Sequence, residues 1–200
     1  MSEAAQRLPP VRFVDALADL SIPAGLELRK QDRFAGSSET VIPDSPARSV
    51  EELARLFSAA HSDYSATVVD GTMVVRPAQN RSEYLDGAAP LLSVTVRGLM
   101  RVTEKLFAPL NPGLDAEGAR AGSVLGPVGV EVDRGENLEI RLDTRGKTVL
   151  ETLTAIARAT GHPWFVVTDS ATPPHILRAG FVHRYGTTTE ATVLERPASR

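Results

Sequence analysis

At 200 residues and a formal net charge of -3, the chain can form one ordinary domain or two small ones, and its charge disfavours a general nucleic-acid binder. Hydrophobic residues make up 42 %, which excludes disorder throughout, yet no apolar run reaches the ~18 residues of a membrane-spanning helix. Cysteine is absent, so disulfides, thiolate metal sites and cysteine nucleophiles are excluded together.

In chain order, Val11 to Leu20 predicts a short helix, with Val11, Val14, Leu17 and Ala18 on one face and Pro23 and Gly25 beyond its end. Leu26-Glu27-Leu28-Arg29 alternates apolar and charged residues, the pattern of a half-buried strand. Thr40-Val41-Ile42 predicts a second short strand. Ser49 followed by Glu52 predicts a capped helix start, with Val50, Leu53, Leu56, Phe57 and Ala60 as its buried stripe. Tyr64 to Val69 and Thr72 to Arg76 predict a hairpin turning at Asp70-Gly71. Pro77 to Pro90 is rich in turn formers and reads as a linker.

Beyond it, Leu92 to Val96 alternates as a strand. Leu99, Val102, Leu106 and Leu110 predict a helix that Pro109 and Pro112 end. Asn111 to Pro127 is the longest expected loop. Val128 to Val132 and Leu138 to Leu142 predict strands joined through residues 133–137. Thr148 with Glu151 predicts a second capping box, followed by a stripe of Leu150, Leu153, Ile156, Ala157 and Thr160 and a stop at Gly161. Trp164 to Thr168 and His175 to Val182 predict a strand and its return, and Glu195 to Arg200 a frayed tail.

The halves superpose without gaps from Val50 on Leu150 to Tyr64 on Trp164, which fits either a duplication or two unrelated amphipathic helices leading into strands. The expected class is α+β, with modules at 11–76 and 91–184, a linker at 77–90 and a tail at 185–200. Each module is a small βαβ- or βαββ-type sheet packed on two helices. The alternative is one merged α+β domain with a continuous sheet.

The helix Val11–Leu20, the Gly25-Leu26-Glu27-Leu28 and Thr40-Val41-Ile42 strands, the Ser49-Val50-Glu51-Glu52-Leu53 helix start and the hairpin about Asp70-Gly71 form an ordered series. In this it resembles the secretin and TonB N-terminal short domain, more clearly over 11–76 and more weakly over 92–182. His61-Ser62 stands where that family usually ends the helix with Gly. The resemblance implies small α+β modules of the bacterial envelope that dock onto proteins by surfaces and strand edges and carry no catalytic residues.

The four histidines, His61, His162, His175 and His183, form no HxH or HxxxH pair. His175 and His183 flank one predicted strand, ~25 Å apart on extended geometry, and read as structural or solvated. Gly122-Ser123-Val124-Leu125-Gly126 only loosely echoes a nucleophile elbow. Arg145-Gly146-Lys147-Thr148 sets a GKT triplet before a helix without the first glycine of a phosphate loop, and Thr148 is better explained as an N-cap. The carboxylate pairs Glu51/Glu52, Asp133/Glu136 and Asp15/Asp19 lack a fixed base, and Arg141, Arg145 and Lys147 lack interleaved aromatics. Of Trp164 and Phe165, alternation buries one and exposes the other as a candidate interface anchor.

The expectation is therefore a non-catalytic interaction or assembly module with no catalytic, cofactor or metal residues. It would dock through the edges of the 64–76 hairpin or the 175–182 strand onto a protein partner, a second copy included, with no nucleic acid and no membrane insertion. The alternative is a small-ligand-binding protein or hydrolase using His175 and His183 under a 111–127 lid. Met1 is followed by no apolar core of the ~7–15 residues of a signal peptide, so a chain starting there is expected in the cytoplasm, and one cut from a longer precursor in the periplasm.

Overall fold

A computed structural model of the chain describes residues 23–30, 49–110, 132–133, 137–185, 188–191 and 194–195. In order come β1 (Ala24–Arg29), α1 (Val50–Ala60), β2 (Tyr64–Val69), β3 (Thr72–Pro77), α2 (Glu83–Asp86), β4 (Ser93–Arg97) and α3 (Leu99–Phe107). They are followed by β5 (Val132–Asp133), β6 (Glu139–Asp143), α4 (Val149–Thr160), β7 (Trp164–Thr168), β8 (Ile176–Tyr185), β9 (Thr188–Ala191) and β10 (Leu194–Glu195). The expected helix at 11–20, the strand at 40–42 and the loop at 111–127 lie outside the described residues.

The class is α+β. The main sheet runs β8-β7-β1-β3-β2. β1 pairs in parallel with β3 on one side and β7 on the other, while the β2–β3 and β7–β8 hairpins are antiparallel. Strands of both halves thus share one sheet through β1, the merged arrangement. A strand with neighbours on both sides and helices over both faces has no solvent side, and β1 is buried almost throughout, Glu27 included. The half-buried strand expected from its alternation is corrected there.

Two apolar clusters sandwich the sheet. On one face Leu26, Leu28, Met73 and Val75 meet Leu53, Ala54 and Phe57 of α1. On the other, Val74, Trp164, Val166 and Phe181 meet α3 through Leu99, Val102 and Leu106, and α4 through Val149, Leu153 and Ile156. Trp164 is fully buried, and Phe165 packs partly buried against the α1 cluster, so neither stands out as an exposed anchor.

Both helix starts follow the sequence. The Ser49 hydroxyl accepts the Glu52 amide at 3.1 Å, and Thr148 with Glu151 closes a reciprocal capping box. Gly161 ends α4 at φ 71°, a left-handed position that favours glycine. Thr148→Ala is expected to lower stability by about 1 kcal/mol, read from chemical denaturation, because it leaves the Glu151 amide without its cap.

Two connecting segments differ from expectation. Residues 77–90 connect the halves but are packed rather than a free linker. α2 places Leu85 in the core, Tyr84 Oη donates to the Leu106 carbonyl, and the Ala88 backbone bridges Thr148. Burial pushes the Tyr84 phenol up to about 12. Within the expected 185–200 tail, β9 pairs with Val182–Tyr185 and β10 with Arg178 and Ala179. Backbone donors along the outer side of β8 supply the reason: a chain returning past them is tied down by hydrogen bonds that local composition does not announce.

Candidate functional site

The sequence-predicted candidates do not converge. His61 stacks on Phe57 with ring centroids 4.4 Å apart, a packing role at the end of α1. His162 is buried in the α4–β7 turn. His175 lies just before β8 and His183 inside it, so the extended strand holds them ~25 Å apart. His175 Nδ1 lies 2.9 Å from Asp169 Oδ2, a pairing like the one that orients a catalytic histidine. The same carboxylate, however, closes the 169–175 turn by accepting the Ala171 and His175 amides. Partial burial pulls that carboxyl upward, but these bonds hold it below the usual carboxylate range. Among the described residues no hydroxyl is hydrogen-bonded to His175, so the pair reads as a turn clasp.

The GKT triplet is likewise structural. Gly146 makes the turn at φ 69°, and the Glu151 carboxylate takes the Thr148 amide at 2.7 Å. A negative charge already sits at this helix start, which disfavours a second anion there. Arg145 is held by Asp143 at 2.8 Å, and its hydrogen bond brings the Asp143 carboxyl down to about 2. The 122–126 segment lies outside the described residues.

A buried polar network escaped the sequence reading. Glu27 on β1 is fully buried; its Oε2 accepts from Arg76 Nε at 2.7 Å and its Oε1 from the Ser82 amide at 2.6 Å. The far end of the same guanidinium donates to both Asp86 oxygens, at 2.6 and 3.0 Å, and to the Ser82 carbonyl at 3.1 Å. Burial works against the Arg76 charge, but the bonds to Asp86 and Glu27 hold its pKa above the ordinary value. One cation thereby ties β1, β3 and α2 together. A signal was present: Glu27 and Arg76 share a sheet face, but only if β1 and β3 are known to be neighbours.

The strand edges are the remaining candidates. The two named from the sequence are largely occupied. β3 of the 64–76 hairpin lies inside the sheet, and on outer β2 the Tyr64 amide bonds to the His61 carbonyl and the Ala66 amide to Ser58 Oγ at 2.8 Å. β8 is flanked on one side by β7 and, at Arg184 and Tyr185, by β5, and on the other by β9 and β10.

A second, two-stranded sheet pairs β4 with β6, while β5 pairs with β8. Val96, Ile140 and Leu142 face the core, Val94 on the same face stays exposed, and Ser93, Thr95 and Arg97 on the other face are exposed. The Gly98 amide bonds to the Leu138 carbonyl and the Thr144 amide to the Leu92 carbonyl. By antiparallel alternation, Val94 and Val96 then bond to Leu142 and Ile140. The amides and carbonyls of Ser93, Thr95 and Arg97 therefore point out along the free side of β4, and those of Glu139, Arg141 and Asp143 along the free side of β6. Among the described residues no strand pairs with either side. Beside this ribbon stands Leu91, a large apolar side chain 80 % exposed.

No family model, curated protein or solved structure matches the chain. Among the described residues, no helix is long and apolar enough to cross a membrane.

Proposed function

We propose that the chain is a non-catalytic protein–protein interaction or assembly module that docks by adding a strand to the β4–β6 ribbon. The supporting observation is the contrast between edges: the outer side of β8 is covered by β9 and β10 and that of β2 is met at Tyr64 and Ala66, whereas β4 and β6 each present a row of outward amides and carbonyls that no described strand pairs. Strand addition uses such rows for affinity and the side chains beside them for specificity. β4 is the better edge. Ser93-Val94-Thr95-Val96-Arg97 carries no proline, and a single charge, whereas β6 alternates Glu139, Arg141 and Asp143. A place in a bacterial envelope system rests on the resemblance of 11–76 to the secretin and TonB short domain.

The test is an eight-residue peptide of alternating Thr and Val with lysines at its ends, titrated into the isotopically labelled chain. Saturable shifts at the Ser93, Thr95 and Arg97 amides are expected. No shift in the ribbon at about 1 mM peptide, the weak limit of useful recognition, in a chain dilute enough to be monomeric, would sink the reading.

A further inference from the structure

We infer that the partner of the β4 edge is a second copy of this chain, joined antiparallel across a two-fold axis at Thr95. This deepens, and rests on, the strand-addition reading. An axis at Thr95 sets Thr95 opposite Thr95 of the second copy, Ser93 opposite its Arg97, and Val94 opposite its Val96. Each outward amide and carbonyl of Ser93, Thr95 and Arg97 then meets its complement, giving about six hydrogen bonds between copies. The cross-strand pairs are compatible: threonine with threonine, serine with arginine, valine with valine, and no like charges face each other. Val94, 38 % exposed in the single chain, gains an apolar neighbour.

The same operation on β6 fails. An axis at Arg141 would oppose two arginines and twice set Glu139 against Asp143, all like-charge pairs. Pairing β4 of one copy with β6 of the next would leave an edge open at each end and grow without closing. Charge therefore selects β4 on β4, which closes as a dimer with a continuous β6-β4-β4-β6 sheet.

Sedimentation of the whole chain tests this, together with two opposed charge changes. A dimer is expected, and Thr95→Pro should weaken it about tenfold or more, because proline removes the amide at the axis in each copy. Within one chain Ser93 sits opposite Asp143, so Ser93→Arg should raise the melting temperature, read at dilutions where the chain is monomeric, while weakening the dimer. Ser93→Glu should do the reverse, lowering the melting temperature while tightening the dimer. This opposition of signs holds even where Thr95→Pro fails to fold. A dimer indifferent to both Ser93 changes would overturn the inference. So would a monomer at about 1 mM chain. If that monomer still binds the Thr-Val peptide at Ser93, Thr95 and Arg97, the strand-addition reading survives and only the second copy falls. If it binds neither, both fall.

Discussion

Gly25→Ala is expected to destabilise the protein by about 3 kcal/mol, the upper range for overpacking a core. Gly25 on β1 lies beside Trp164 on β7, and the indole lies over the space where a side chain would begin. A Cβ there would sit 1.9 Å from Trp164 Cε2 and 2.3 Å from Nε1. Real contacts need about 3.5 Å, so the ring must leave. It has nowhere to go, because Trp164 is fully buried in the cluster with Val74, Leu153 and Val166. Trp164 is the single tryptophan, so its fluorescence reports the event directly. Denaturant unfolding should show a lower midpoint, and the native emission should move to the red. Adding Trp164→Phe should recover part of the loss, since a smaller ring leaves room. Full additivity of the two changes would show that the clash is not what glycine avoids.

Arg76→Met should cost still more, about 3–5 kcal/mol, because it strands the Glu27 carboxylate in a dry interior. The guanidinium is what makes that carboxylate tolerable, through the 2.7 Å Nε contact. Asp86 is more than half exposed, so losing its share matters less. The double variant Glu27→Leu with Arg76→Met should recover more than half of the single loss, since a buried ion pair exchanged for apolar groups is often neutral. A shortfall should remain, because the Ser82 amide loses Glu27 Oε1 as its acceptor. Chemical denaturation of the two single variants and the double variant measures this coupling. If the single losses simply add, Glu27 and Arg76 do not depend on each other and the network is not the clamp between β1, β3 and α2 described above.

Local chemistry was legible where it acts over a few residues. The caps at Ser49 and Thr148, the stop at Gly161, the Asp70-Gly71 turn and the stripes of α1 and α4 all concern neighbours in sequence. The edge proposed for docking was half legible: Leu92 to Val96 alternates plainly, but alternation says which side chains face out and not which strand lies alongside. For that reason the 64–76 hairpin and the 175–182 strand looked like open edges, though Ser58, β9 and β10 close much of them.

The sequence by itself determined the α+β class, two capped helices and the hairpins, because periodicity and capping are short-range. The tertiary structure alone decided that β1 lies between β3 and β7, that Glu27 is therefore buried, and that β4 pairs with β6 and has a second side that no described strand covers. Those are matters of long-range register. Register depends on which distant strand offers complementary donors, acceptors and apolar faces, and no local pattern in a single chain carries that information.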